Sequence, residues 1–246
     1  MLDNGKYQVM ENLFSQQGYL ASVCIDVETR NNYKEYIFNI YSDTANINAF
    51  LPLFHGLTNG VCGDFRRILP GSGCIMAVFD YHKGVPLENY LKSLPEDDYP
   101  ARAHAVGSLL DAAVVLEALP PIFAVSVFSP PYTVFNLKEK SVRLNYVIKP
   151  APEPTTQEAL DSFLPYLESA FPKNRYLPEM ATGFLSSVRN GDIAGFVSIC
   201  SAWRRISADS LEEHERYKEE SFFKYLRRKS AKKAKDKAER ALRKIK

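Results

Sequence analysis

Side chains that could do chemistry are scattered along this 246-residue chain rather than grouped. There is no CxxC pair, and the cysteine and histidine spacings do not resemble those of a metal site. The sequence also lacks a P-loop, an HExxH helix and a G-x-S-x-G elbow. The residues concerned are Cys24, Cys62, Cys74, Cys200, His55, His82, His104 and His214. We therefore predict free thiols in a reducing compartment, with no metal and no cofactor.

One polar residue lies where an apolar one would be expected. Asn39 is in the middle of the run YKEYIFNIYSD (33–43), whose aromatic and β-branched residues predict a strand. A buried amide lowers stability unless it finds hydrogen-bond partners. Asn39 is therefore a candidate functional residue, and its role depends on what surrounds it.

Basic residues concentrate at the C-terminus. Residues 224–246 contain twelve Lys or Arg and two acids, a net charge of +10, whereas residues 1–223 carry a net charge of −8. Ser210 and Glu213 have the spacing of a capping box, and neither Gly nor Pro occurs in 211–246. These features predict one continuous basic helix that meets an anionic partner.

Several partners suit such a helix. We expect the cytoplasmic face of a membrane first, with nucleic acid or an acidic protein as alternatives, or a solvated helix without a partner. Few aromatic residues alternate with the bases, so stacking on single strands is not indicated. The run would also suit the flank of a membrane span outside this sequence. The candidate anion-binding residues are Arg227, Arg228, Lys229, Lys232, Lys233, Lys235, Lys237, Arg240, Arg243 and Lys244.

Composition is that of a soluble globular chain. Hydrophobic residues make up 46% and charged residues 24%, and no apolar run is long enough to span a bilayer. The N-terminus does not resemble a signal peptide. We expect a cytoplasmic protein, with membrane association as a possibility raised by the basic tail.

Hydrophobic periodicity changes along the chain. Alternation predicts five strands in the first third, near YQVMENLF, YLASVCIDV, EYIFNIY, DFRRIL and CIMAVFDY, with a helix at 44–57 that Pro52 weakens. Helical spacing then predicts helices at 86–94, 101–119, 156–170, 176–190 and 192–206, with strand-like segments at 121–137 and 141–149 that form a hairpin at 132–148. This order predicts an α+β fold with two lobes.

The order of elements resembles the eukaryotic-type Ser/Thr protein kinase fold over about residues 5–150. The opening GKYQVMENLFSQQGYLASVCIDVET resembles two strands joined by a glycine-rich loop, and VFDYHKGVPLENYL, which contains Asp80, resembles the hinge between the lobes. The resemblance implies a five-stranded N-lobe at 1–82, a reduced helical C-lobe at 83–208 and a projecting basic helix at 209–246.

The resemblance also implies that the catalytic residues are lost. Asn39 takes the place of the strand lysine that grips the nucleotide phosphates, Thr133 that of the metal-binding Asn, and Tyr146 that of the metal-binding Asp. Gly18 is the one glycine kept in the glycine-rich loop. Phosphoryl transfer depends on cations and metal-binding carboxylates in the cleft. The chain thus resembles a degenerate kinase, or pseudokinase.

Neighbouring segments agree with this interpretation. No Asp or Glu occurs in 44–63, and 123–135 contains no charged residue, histidine or asparagine. Asn145 offers one neutral oxygen, a weak ligand for a hard cation. We therefore expect Asn39 to be a hydrogen-bonded polar residue facing the cleft between the lobes.

The expected function is that of a catalytically inactive scaffold that binds protein partners and has no small-molecule substrate. Two alternatives stay open: a divergent kinase or nucleotide-binding protein that uses other residues, and a nucleic-acid-binding protein that acts through the basic tail. Metal-dependent ATP binding would favour the first alternative, and salt-dependent binding to duplex the second.

Overall fold

A computed structural model describes residues 5–28, 34–220 and 222–243. The first lobe is an antiparallel sheet of five strands in the order β1-β2-β3-β5-β4, with one helix. Its elements are β1 (Tyr7–Gln16), β2 (Tyr19–Asp26), β3 (Glu35–Tyr41), α1 (Thr44–Leu57), β4 (Phe65–Gly71) and β5 (Cys74–Asp80). The five strands and the helix agree with the sequence prediction.

Aromatic side chains fix helix α1 on the sheet. Tyr41 at the end of β3 stacks on Phe50 of α1 with ring centroids 4.7 Å apart, and Phe54 packs edge-on against Phe79 of β5. The Asp43 carboxylate caps the helix by accepting from two backbone N–H groups. Pro52 removes one helix hydrogen bond, but burial of the aromatic face maintains the helix over 14 residues.

The second lobe is mostly helical. A short strand, β6, pairs with the hairpin β7–β8 in a three-stranded sheet. Its elements are β6 (Val85–Pro86), α2 (Leu87–Ser93), α3 (Tyr99–Ala113), α4 (Pro121–Val127), β7 (Thr133–Asn136), β8 (Ser141–Leu144), α5 (Thr156–Ala170), α6 (Glu179–Arg189) and α7 (Phe196–Lys218). Helix α3 lies in the core, where Leu109, Ala113 and Leu116 are buried as predicted.

Several predicted boundaries in this lobe are wrong. The strand predicted at 141–149 ends at Leu144, and the helix predicted at 192–206 covers Phe196–Lys218. The 101–119 helix is α-helical only to Ala113 and continues as a 3₁₀ helix over Val114–Ala118. The strand-like prediction for 121–127 fails because this segment is helix α4, with Pro121 in its first turn. A short apolar run fits a buried strand and a buried helix equally well, so periodicity did not distinguish them.

The predicted single helix at 211–246 is also wrong. Helix α7 begins at Phe196 and runs through Ser210, whose hydroxyl donates to the Ser207 carbonyl and accepts from Tyr99, so Ser210 does not cap a helix. The helix ends at Lys218, and a separate helix α8 covers Phe222–Arg243. Residues 244–246 of the predicted helix lie outside the described residues. In the part of the chain that is described, no helix is both long and apolar enough to cross a bilayer.

Candidate functional site

Asn39 is fully buried between the two lobes, and its amide uses both ends. The nitrogen donates to the Tyr146 carbonyl at 2.9 Å. The oxygen accepts from the Tyr19 hydroxyl at 2.7 Å and from the Ile148 backbone N–H at 2.8 Å. The expected hydrogen-bonded polar residue at the cleft is therefore present, and it joins strand β3 to the segment after β8.

Tyr146 fills the space beside this amide. Its ring stacks on Phe79 of β5 with centroids 5.1 Å apart, and it meets Phe123 of α4 edge-on at 6.4 Å. Burial raises the pKa of the Tyr146 phenol well above its usual range. The position where the resemblance expects a metal-binding carboxylate therefore holds a neutral aromatic ring packed between the lobes.

A second hydrogen bond between the lobes lies next to the first. The Tyr41 hydroxyl donates to the Ile148 carbonyl at 2.6 Å. The Ile148 N–H and C=O thus bind two side chains of β3 that are two residues apart and lie on the same face of the strand. The segment after β8 is held against β3 through backbone groups, so its own side chains need no particular chemistry for this contact.

Asn145 ties the hinge to the end of β8. Its oxygen accepts from the His82 backbone N–H at 2.9 Å, and its nitrogen donates to the His82 carbonyl at 3.0 Å. The His82 ring lies 3.0 Å from the Asp64 carboxylate. Both ends of the Asn145 amide are therefore engaged with protein groups, which argues against its use as a cation ligand.

Asp80, at the end of β5, binds two cations of its own lobe. Arg66 makes two hydrogen bonds to the carboxylate, one of them Nε to Oδ1 at 2.6 Å, and the Lys34 ammonium lies at 3.2 Å. Burial would raise the pKa of Asp80, but the hydrogen bonds from Arg66 and Lys34 outweigh it and hold the pKa below its ordinary value. This acid is committed to a local ion-pair network.

The other two candidate cleft positions also have local roles. Gly18 turns the chain between β1 and β2 with φ +72°, and a Cβ there would lie 2.6 Å from the Asp43 Cβ. The turn therefore packs closely on the start of α1, which only glycine permits. The buried Thr133 hydroxyl donates to the Val127 carbonyl at 2.7 Å and thus fixes β7 to the end of α4.

The β1–β2 turn and the end of β1 pack against the segment after β8. The Lys149 ammonium lies 4.3 Å from the centre of the Phe14 ring of β1 and 4.9 Å from that of Tyr132. Gln16 donates to the Pro150 carbonyl at 3.5 Å. Burial lowers the pKa of Lys149. Sequence reasoning missed Lys149 and Tyr41, because neither lies at a motif position and their partners are distant along the chain.

The sequence predicted free cysteine thiols and no metal site. Within residues 5–28, 34–220 and 222–243 the structure brings together no group of three His, Cys, Asp or Glu side chains able to hold a metal. All four cysteines are free, as predicted, and three of them are buried. Burial raises the pKa of the Cys62 thiol, so this group is held as the protonated thiol.

Helix α8 does not present all of its bases in the same way. Arg228 contacts the body: its guanidinium lies 3.4 Å from the centre of the Tyr217 ring, pairs with Glu220 at 3.0 Å and donates to the Arg175 carbonyl at 3.0 Å. Other predicted anion-binding side chains are exposed, namely Arg227, Lys229, Lys233 and Lys237. The side chains of Lys232, Lys235, Arg240, Arg243 and Lys244 lie outside the described part of the structure.

Comparison with solved structures identifies the fold. The chain is similar to the crystal structure of the PknI kinase domain of Mycobacterium tuberculosis, a point mutant, with 15% sequence identity and a TM-score of 0.50. The match covers 83% of this chain and 96% of that chain. No protein-family model matches, and no curated protein matches.

Proposed function

With a protein-kinase-like fold as the starting point, we propose that this protein does not transfer phosphate and that it acts as a protein-interaction module. The observation that carries the proposal is the Asn39 amide, which bonds Tyr19, Tyr146 and Ile148 where a kinase holds a phosphate-gripping lysine. Catalysis of phosphoryl transfer is mostly positioning and electrostatic stabilisation by cations. A neutral amide whose hydrogen bonds are already made supplies neither.

Space in the cleft supports the same proposal. The rings of Phe79 and Phe123 both pack on Tyr146 between the lobes. Lys149 and Gln16 hold the β1–β2 turn against the C-lobe. A nucleotide between the lobes would have to separate these contacts before it met any partner of its own.

The free energy needed for that separation also supports the proposal. Opening the cleft at Asn39 breaks three hydrogen bonds, each contributing about 0.5–1.5 kcal/mol net, and a buried group left unpaired costs about 1–3 kcal/mol. A total of about 4 kcal/mol would weaken a ligand about 1000-fold, since each 1.4 kcal/mol is a factor of ten. A nucleotide that would bind an open cleft at micromolar concentration would then need millimolar concentration.

The test is direct. Thermal unfolding of the full chain is followed with and without ATP at 1 mM, each with Mg²⁺, Mn²⁺ or EDTA, and phosphate transfer to the chain and to a generic protein substrate is measured in parallel. We expect no metal-dependent rise in Tm and no phosphate transfer. A metal-dependent rise in Tm, or transfer of phosphate to either substrate, would overturn the proposal in favour of a divergent kinase or nucleotide-binding protein.

The interaction role extends to the tail. The net charge of +10 over residues 224–246, opposite a body of −8, supports contact between α8 and an anionic surface. The alternative of a nucleic-acid-binding protein rests on the same charge. Binding to generic duplex with a steep salt dependence, unmatched by any other polyanion, would favour that alternative.

A further inference from the structure

Helix α8 has an inner side defined by two residues. Among the side chains of α8 that the structure describes, Tyr225 and Arg228 are partly buried and the others are exposed. These two are three residues apart and therefore share one side of the helix. Arg228 contacts Tyr217, Glu220 and the Arg175 carbonyl, so this side faces the body.

The opposite side combines apolar and basic side chains. Phe223 is 78% exposed and Leu226 is 42% exposed. At 100° per residue, Phe223 lies about 140° around the helix from Arg228, and Leu226, Ser230 and Ala234 lie near Phe223. Arg227 and Lys233 flank this strip, Lys237 lies within it beside Ser230, and all three bases are exposed. This side of the helix therefore carries both apolar and basic side chains. We call it the outer face, and its residues are Phe223, Leu226, Arg227, Ser230, Lys233, Ala234 and Lys237.

The charge of α8 is complementary to an anionic surface. Residues 222–243 contain ten Lys or Arg and two acids. The body before the helix carries an excess of acids and is repelled by the same surface. A helix that lies in a membrane interface has this combination of a basic face and a few large apolar side chains.

The apolar pair distinguishes a bilayer from other polyanions. Contact with nucleic acid would not bury Leu226 in an apolar phase, because nucleic acid presents phosphates and stacked bases. Binding to single strands would need aromatic residues spaced along the basic run, and Phe223 and Tyr225 both lie at its start. A lipid interface accepts both the bases and the apolar pair.

We propose that the outer face of α8 binds an anionic lipid bilayer, with Phe223 and Leu226 inserted at the interface and Arg228 holding the helix to the body. This inference rests on the proposed contact between the tail and an anionic surface, and it names that surface. It does not depend on the state of the cleft.

The first test uses the full chain and vesicles. Co-sedimentation is measured with phosphatidylcholine vesicles and with vesicles that contain 30% phosphatidylserine, between 50 and 300 mM salt. We expect binding to the anionic vesicles only, weakening as salt rises. The double variant Phe223→Gln with Leu226→Gln should lower the affinity at least tenfold, whereas Leu137→Gln, which changes another exposed leucine (60% exposed), should leave it unchanged.

A matched pair of charge changes tests which face binds. Arg227→Gln and Arg228→Gln each remove one positive charge from adjacent positions about 100° apart, the first on the outer face and the second on the side that faces the body. A base near an anionic bilayer is worth about a fivefold change in affinity. We expect Arg227→Gln to lose about fivefold and Arg228→Gln to lose less. Equal losses would mean that total charge, and not the outer face, determines binding.

Depth of insertion gives a readout that charge alone does not affect. The chain contains a single tryptophan, Trp203, which is buried and gives a constant background. Phe223→Trp is compared with Leu137→Trp in vesicles that contain brominated lipid. We expect fluorescence quenching at position 223 and none at position 137.

The outcomes separate the two proposals. If Phe223→Trp is not quenched, and the Gln variants bind duplex and anionic vesicles as well as the wild type does, the bilayer inference is overturned while contact with an anionic surface stands. If the wild type binds neither vesicles, duplex nor heparin, the tail part of the proposed function fails as well. Equal binding to neutral and anionic vesicles would also overturn the inference. Circular dichroism checks that each variant keeps its helix content.

Discussion

Polar side chains in the cleft between the lobes differ from those on helix α8 in what they contact. In the cleft, the amides of Asn39 and Asn145 each donate to and accept from protein groups of the other lobe or the hinge. On α8, Arg228 is engaged with the body, while Arg227, Lys233 and Lys237 are exposed. Polar groups that are fully engaged inside stabilise a fold, and polar groups left outside are available to partners.

This contrast predicts a gradient of mutational effects from the cleft to the tail. Substitutions in the cleft should change the free energy of unfolding, because each leaves buried partners unpaired. Substitutions on the outer face of α8 should change binding and leave the free energy of unfolding almost unaltered.

The largest effect is expected for Asn39→Leu. The change replaces the amide by a larger apolar group and leaves the Tyr19 hydroxyl, the Tyr146 carbonyl and the Ile148 N–H without their partner. We expect a loss of about 3–5 kcal/mol in the free energy of unfolding, measured by urea denaturation. Asn89→Leu, at an exposed position of α2, is the control and should cost less than about 0.5 kcal/mol. Similar losses in the two variants would show that the buried amide of Asn39 contributes no more to the free energy of unfolding than an exposed amide does.

Asn145→Ala should have the next largest effect. It removes both hydrogen bonds to the His82 backbone, at 2.9 and 3.0 Å. We expect a loss of about 2–3 kcal/mol, and faster hydrogen exchange at the His82 amide because that N–H loses its acceptor. Unchanged exchange at His82 would mean that the hinge is held by other contacts.

Asp80 provides a test that depends on pH. Its pKa is lowered in the native state because hydrogen bonds from Arg66 and Lys34 outweigh burial. A carboxyl with a depressed native pKa stabilises the fold above its unfolded pKa, about 3.9, and that stability is lost as pH falls through the native value. We expect Asp80→Asn to be less stable than the wild type by about 1 kcal/mol at pH 7.

The difference between Asp80→Asn and the wild type should shrink below about pH 4, once the wild-type carboxyl is protonated too. Urea denaturation of both proteins between pH 3 and pH 7 measures this. A difference that is constant over the whole range would show that the ion pairs do not account for the lower pKa.

The smallest effect is expected for Lys233→Gln on the outer face of α8. This exposed side chain is separated from the body by the width of the helix, so the free energy of unfolding should change by less than about 0.5 kcal/mol. Urea denaturation checks the value. A loss above about 1 kcal/mol would place Lys233 in a structural contact and remove the contrast with the cleft.

Sequence patterns predicted the secondary-structure elements well, but they predicted few of the tertiary contacts. Alternation in EYIFNIY and CIMAVFDY indicated strands β3 and β5, and the helical spacing at 156–170 indicated α5 with the same bounds. Helix α4 was missed because six of its seven residues are apolar and lie on all sides of the helix, which removes the periodic signal. The Ser210–Glu213 spacing misled because such a pattern also occurs inside a long helix such as α7.

For the candidate site, sequence identified the positions but not their partners. Asn39, Gly18, Thr133 and Tyr146 were singled out because a family resemblance assigns chemistry to their places. What they bind instead was unpredictable, and so were the contributions of Tyr41 and Lys149, which belong to no motif.

The sequence by itself determined the α+β order of elements, the lack of carboxylates in 44–63 and 123–135, and the opposite charges of body and tail. These are properties of residue type and local spacing, and they need no knowledge of distant contacts. Only the tertiary structure decided that Asn39 bonds groups 107 and 109 residues away, that Asn145 holds the hinge 63 residues back, and that Arg228 turns one side of α8 to the body. The physical reason is that hydrogen bonds act over about 3 Å, so their partners are fixed by how the lobes dock and not by separation along the chain.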